Sequence, residues 1–294
     1  MTDTWQRPQL AASLKPSRSP LFVAQHSERY ARQALIGEYE DRYGVTLIVM
    51  IDAIFAANVT YLEELLFDAE VGRPLHLMIA SPGGDGEAAV RMVRSIRTRC
   101  SQLTVIVPDL AKSAATLICL GADRILMGPA GDLGPVDPQF QIRRSLVSAR
   151  EIVAAVAEAE ARIKAAPDTY PLFAALLSDV NLLMVEQARS AIQRSEGLVR
   201  EALSCCTGRG EDLIDQLTAA LKRPLIDEVS THNTVVPADA AAKLGLPAEA
   251  ADVTGDQWHL LWSLWTRYFL LGCFPAGQNA VYEGRRVSHV EEPA

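Results

Sequence analysis

The sequence predicts an α/β fold built on a mainly parallel sheet. Three observations point to it: short β-branched runs too brief for helices, amphipathic segments between them, and Gly-containing loops at the strand ends. The chain has 294 residues and 49% hydrophobic residues, ample for a buried core. Its 28 Lys+Arg against 36 Asp+Glu give a net charge of −8, which argues against a nucleic-acid binder that depends on a basic face.

Residues 1–20 are polar, contain Pro and Ser, and lack an apolar core of signal-peptide length, so they read as a tail and imply a cytoplasmic protein. SERYARQALIGEYEDRYG (27–44) follows as a charged lead-in helix. VTLIVMI (45–51) is nearly uninterrupted and reads as a buried strand. Residues 58–71 place Leu62, Leu65, Leu66 and Ala69 on one helical face, and LHLMIA (75–80) is the second strand.

SPGGDG then opens a helix over 86–99 whose inner face is Ala88, Ala89, Met92, Val93 and Ile96. LTVIVP (103–108) is the third strand, a short helix starts at Lys112 to Ser113, and RILMG (124–128) is the fourth strand. After the Gly/Pro loop GPAGDLGPVDPQF come Ala-rich helices at about 148–165 and 179–206, so the C-terminal half is helix-rich. VVPADAAAKLGL (235–246) carries Pro where a helix begins and Gly where it ends.

Three of the four tryptophans, Trp258, Trp262 and Trp265, fall within eight residues. With Leu261 and Phe269 they recur at helical spacing, giving an aromatic face for the protein's own core or a second subunit, with interfacial membrane contact as the alternative. His259 and Arg267 interrupt the segment, which is too short for a membrane span of roughly 20 residues, so membrane association is not expected. The last 20 residues are polar and read as a loose tail. Five scattered cysteines without a CxxC pair fit neither a disulfide framework nor a zinc site. Neither a metal nor an organic cofactor is expected.

Two loops carry the chemistry, each just past the C-terminal end of a predicted parallel strand, where open α/β sheets place ligands. In Ser81 to Gly84, Pro82 stiffens the chain, and Gly83 and Gly84 permit positive φ and a close backbone approach. Successive exposed N–H groups in such a turn donate to a developing oxyanion. In PDLAKSAATL, Ser113 stands at a helix N-terminus, where unpaired N–H groups favour negative charge; a plain N-cap serine has the same appearance.

Together, SPGG and AKSAAT, with Ser113 lying 29 residues after Gly84, resemble the Clp-type and signal-peptide-peptidase-type serine proteases of the Clp/crotonase superfamily. AATLICLGADRILMGPAGDLGPVDPQF and VVPADAAAKLGLP are most similar to the serine dehydrogenase proteinase family. The resemblance covers about residues 40–250 and implies a Clp/crotonase-like spiral of βα units. It divides the chain into an N-terminal tail and lead-in helix (1–40), a Clp-like peptidase domain (41–250) and a C-terminal aromatic helix with a polar tail (251–294).

The resemblance also implies a cytoplasmic serine endopeptidase, homo-oligomeric, acting on a peptide or protein substrate. Ser113 would be the nucleophile, with the Gly84 and Ala114 amides as oxyanion hole, each donor worth about 3 kcal/mol of transition-state stabilisation. Gly83, Asp85 and Gly86 would bind the extended substrate by strand addition. No histidine stands in GDLGPVDPQF, where Clp-type enzymes carry theirs.

Two residues stand as candidate base. Lys164, 51 residues after Ser113, occupies roughly the place of the lysine in the signal-peptide-peptidase branch, with a solvated helix residue as the plainer reading. His232, in STHNTVVP, has a polar, loop-like setting and reads as a base or as a helix-capping or exposed loop residue. Lys112 diverges by about 100° from Ser113 at a helix start and reads as a weaker base or a surface charge. Asp109 and Asp137 flank the site and either orient a base or bind solvent, or form turns beside Pro. A Clp-fold scaffold without catalysis and a crotonase-type acyl-CoA enzyme are the alternatives.

Overall fold

The computed structural model describes residues 19–67, 69–228, 232 and 234–291, so the expected tail lies almost wholly outside the described residues. In chain order the elements are α1 (Pro20–Gln25), α2 (Ser27–Tyr43), β1 (Thr46–Ile51), α3 (Asn58–Phe67), β2 (Leu75–Ala80), α4 (Gly86–Arg97), β3 (Leu103–Val107), β4 (Leu110–Ala111), α5 (Ala114–Leu120), β5 (Arg124–Met127) and β6 (Asp132–Leu133). There follow β7 (Gln139–Ile142), β8 (Ser145–Ser148), α6 (Ala149–Ala165), α7 (Tyr170–Leu176), α8 (Leu182–Ser204), α9 (Glu211–Lys222), α10 (Ala238–Lys243), β9 (Ala248–Ala250), α11 (Asp256–Leu270), β10 (Ala280–Glu283) and β11 (Ser288–Glu291).

Seven strands form the main sheet in the order β11-β10-β1-β2-β3-β5-β9, with β1, β2, β3, β5 and β9 parallel and β10 and β11 antiparallel. This is the expected mixed α/β architecture with a mostly parallel centre. Every residue of β2 and β3 is buried, because helices cover both faces and neither strand can afford a polar side. The period of two in a strand divides these residues between two cores. Ile48, Met50, Leu77, Ile79 and Val105 face α3, α4, α5 and α8, while Leu47, Val49, Met78 and Ile106 face α2 and α11.

The C-terminal segment departs from expectation. Residues 280–291 are not loose: β10 is fully buried and pairs antiparallel with β1, with Met50 opposite Tyr282. Polar side chains achieve this by pairing internally. Glu283, 0% exposed, accepts from Arg32 at 2.8 and 3.2 Å and from the Tyr268 hydroxyl at 2.6 Å. A composition-based reading misses such a strand because its charge is neutralised only by residues distant in the chain.

The aromatic face of α11 is also divided. Trp258 and Trp265 are buried in the second core, whereas Trp262 and Phe269 are 47% and 51% exposed and, with Pro108, Asp109 and Ala130, line a shallow cavity. His76 is a packed strand residue, its Nδ1 2.8 Å from the Tyr39 hydroxyl.

Candidate active site

The site lies at the carboxyl ends of β2 and β3. Ser81 directly follows β2 and is tied to the β4 segment after β3: its amide donates to the Leu110 carbonyl and its carbonyl accepts from the Lys112 amide, both at 3.0 Å. Its hydroxyl accepts from the Gly83 amide at 3.1 Å. The two loops are thus stitched side by side before either meets a ligand.

Gly83 and Gly84 adopt φ of +106° and +138°, conformations that L side chains rarely take. A Cβ on Gly84 would stand 2.2 Å from the Ile54 carbonyl oxygen. Ile54 occupies one side of this edge, donating to the Gly83 carbonyl and accepting from the Asp85 amide, each at 2.8 Å. Backbone groups alternate along an extended edge, so the Gly84 N–H and C=O face the opposite side and are left for an incoming strand. Among the described residues, neither the Gly84 nor the Ala114 amide donates a hydrogen bond.

Asp85 lines the cavity but spends its carboxylate on capping α4, accepting from the Glu87 and Ala88 amides at 2.9 and 3.3 Å. Gly86 begins α4 and lines the same wall, where Leu198 and Leu117 press so close that a Cβ would meet them at 2.9 and 3.2 Å. Gly83 serves from behind: it supports the turn against Ser113 and is not part of the cavity wall.

Ser113 takes the N-cap position of α5, yet its hydroxyl makes no capping hydrogen bond. Its backbone is at φ +51° and ψ −117°, a strained conformation for a residue with a side chain, costing on the order of 1–3 kcal/mol. Plain capping would not need that strain. The side chain instead faces a cavity of about 510 Å³ lined by Gly84, Ala114, Leu117, Val136, Asp137, Gln139, Ser195, Leu198 and His232, among others.

His232 reaches this cavity from a distant part of the chain. Leu133 and Val236 exchange both backbone hydrogen bonds at 3.1 Å, which lays the segment after His232 along β6. There His232 Nδ1 lies 2.8 Å from Asp137 Oδ1, with side-chain exposures of 28% and 1%. Gln139 Nε2 donates to the other carboxylate oxygen at 2.5 Å, so Asp137 is oriented from both sides. With Nδ1 directed at the carboxylate, Nε2 is the ring nitrogen left to accept a proton.

Lys164 is not part of this group. It stands exposed in the last turn of α6 and does not line the cavity. Lys112 pairs with Asp132 and does not line the cavity that Ser113 lines. Asp109 lines the separate Trp262 cavity, and burial, with Asp132 nearby, pushes its carboxyl up. Gln139 was missed by sequence reasoning, although it stands two residues after Asp137 in the quoted GPVDPQ run; its role depends on a turn that folds it back. Among the described residues, no group of three or more His, Cys, Asp or Glu is placed to hold a metal ion.

Strand-end loops on a mostly parallel α/β sheet thus hold a strained serine beside the Gly84 and Ala114 amides. Residues 65–263 match the ClpP-like SDH-type serine proteinase family, and the chain belongs to it. Two uncharacterized proteins of Methanocaldococcus jannaschii are similar, one 30% identical over 177 residues (60% of this chain, 54% of the relative) and one 27% identical over 173 residues (59% and 51%). The chain spans about half the length of these curated relatives.

Among solved structures, a lysine-to-alanine variant of the 1510-N membrane-bound stomatin-specific protease with a substrate peptide shares 15% identity at a TM-score of 0.43, over 70% of this chain and 74% of that one. A serine-to-alanine variant of the same protease shares 17% at 0.40, over 70% and 77%. Among the described residues of the present chain, no helix is long and apolar enough to cross a membrane.

Proposed function

We propose that this chain is a serine peptidase in which Ser113 is the nucleophile, His232 its base and Asp137 the group that orients the base. The observation that carries this reading is the 2.8 Å contact between His232 Nδ1 and Asp137 Oδ1 in the wall of the cavity that Ser113 faces. In the reaction, Ser113 Oγ attacks the scissile carbonyl as its proton passes to His232 Nε2. Asp137 stabilises the resulting imidazolium, and the imidazolium returns the proton to the leaving amine. The Gly84 and Ala114 amides hold the oxyanion, and the substrate backbone pairs along the Gly84 edge on the side away from Ile54. Lys164 has no part in this scheme.

A peptide or protein substrate, homo-oligomeric assembly and a cytoplasmic setting belong to the same proposal. Five free cysteines agree with a reducing compartment, and the exposed Trp262 and Phe269 offer an apolar surface for assembly. The test is fluorophosphonate labelling of wild type against Ser113→Ala. Labelling confined to the wild type supports an activated Ser113, and equal labelling of both removes it.

A further inference from the structure

We propose that Lys112 is the positioning residue of this site: its side chain latches the segment carrying His232 onto the loop carrying Asp137, and its backbone ties both to the Ser81 to Gly84 turn. The inference rests on the reading of Ser113, His232 and Asp137 as the reacting groups.

A lysine immediately before a nucleophilic serine invites the role of base, but its ammonium is committed elsewhere. Lys112 Nζ forms an ion pair with Asp132 and donates to the Leu133 carbonyl at 3.2 Å and the Thr234 carbonyl at 3.1 Å. An ammonium has three donors, and these three acceptors account for them. Two of the acceptors belong to β6, five residues or fewer before Asp137. The third lies two residues after His232.

The backbone of the same residue reaches the other half of the site. Its amide donates to the Ser81 carbonyl at 3.0 Å and its carbonyl accepts from the Ala115 amide at 2.9 Å. The side-chain stem then crosses Gly134 so closely that a Cβ there would meet Lys112 Cδ at 2.4 Å. Glycine at 134 is what lets the lysine pass. Asp132 in turn accepts from the Val236 amide at 2.8 Å, so the ion pair and the β6 bridge hold the same segment.

A point charge is the right device here. Asp132 and Lys112 are only 15% and 14% exposed, so removing the ammonium strips a poorly hydrated carboxylate of its cation and takes one donor from each of the Leu133 and Thr234 carbonyls. The segment keeps the Val236 bonds to Leu133 and Asp132 but loses its tie to Lys112 at Thr234, two residues from His232, and the imidazole shifts with it. Displacing a catalytic group by about 1 Å can cost a factor of about 100 in rate. Leu117 and Leu198 in the cavity wall have no bond to Lys112, so the loss falls on kcat rather than KM.

The test compares Lys112→Met, which keeps the stem and removes the donors, with wild type. Two quantities are measured: the fluorophosphonate labelling rate of Ser113, and the downfield NMR resonance of the His232 proton hydrogen-bonded to Asp137, assigned by its absence in His232→Gln. The expected result is labelling slower by about 100-fold and loss of the resonance. Gly134→Ala, which displaces the same stem without removing the charge, is expected to reproduce both effects and decides the matter if Lys112→Met does not unfold cooperatively. A retained resonance overturns the proposal, whether labelling is normal or slow, since Lys112 would then not act through His232. If wild-type Ser113 does not label at all, the peptidase reading falls, while the resonance still decides the latch.

Discussion

Gly83 and Ser113 meet across the two loops so closely that a methyl group on Gly83 would stand 2.6 Å from the Ser113 Cβ and 2.8 Å from the Lys112 carbonyl oxygen. The contact explains why a glycine outside the wall of the Ser113 cavity belongs to the site. Gly83→Ala adds both this clash and strain at φ +106°. Its expected cost exceeds about 1 kcal/mol of stability, with slower labelling of Ser113. Urea midpoints and labelling rates for the two chains check this, and an unchanged pair of values would show that the loops can separate freely.

Asp137→Asn preserves the shape of the site but no longer holds the imidazole in the tautomer with Nε2 unprotonated. If the proposed roles hold, a loss of about 10⁴-fold in kcat is expected, the size of the corresponding change in a Ser-His-Asp protease. The double variant with His232→Ala should lose little more than His232→Ala alone, since the two act as a unit. Additive losses would mean that Asp137 works independently of His232.

Lys164→Ala should leave the labelling rate within about twofold of wild type, the ordinary scale of an exposed substitution. Its position in the last turn of α6, outside the cavity wall, is the reason. A large drop would reinstate Lys164 as a candidate base.

His76 carries a pH dependence of stability. Burial lowers its pKa from 6.5 to about 4, with Arg124 adding to the shift, and the ring accepts or shares a proton with the Tyr39 hydroxyl at 2.8 Å. The unfolded chain therefore binds the proton first as pH falls, so stability drops between about 6.5 and 4, by about 3 kcal/mol in all. Chemical denaturation at pH 7 and pH 4 should show a smaller difference for His76→Gln. Equal pH slopes in the two chains would assign the effect to other groups.

Arg32→Ala should destabilise the fold by about 3–5 kcal/mol, because Glu283 remains fully buried without its cation. Replacing both partners by apolar residues, as in Arg32→Met with Glu283→Leu, should recover much of the loss. Denaturant unfolding of the three chains tests this, and a negligible loss in Arg32→Ala would show that β10 is dispensable to the core.

Much of the fold was legible because its signals are local. VTLIVMI and LHLMIA are apolar runs of strand length, and SPGG and the small residues after Ser113 mark loops whose backbone geometry depends on those residue types. The expected helix over 58–71 ends at Phe67 and that over 86–99 at Arg97, since terminal turns are decided by packing more than by periodicity. The 280–291 strands were not legible, because AVYE and SHVE become strand only beside β1 and each other.

The sequence by itself determined the parallel α/β core, the pairing of an SPGG turn with a serine at a helix start, and the family to which these belong, since each rests on neighbours within a few residues. Only the tertiary structure decided which of the candidate bases shares the cavity with Ser113. His232 and Lys164 were both open choices, and nothing local separates a histidine before one helix from a lysine inside another. The choice turned on the bridge between Leu133 and Val236 and on the contacts of Lys112, which bring together segments about a hundred residues apart. Such contacts exist only after the sheet has brought those segments to one end, which is why composition and spacing do not reveal them.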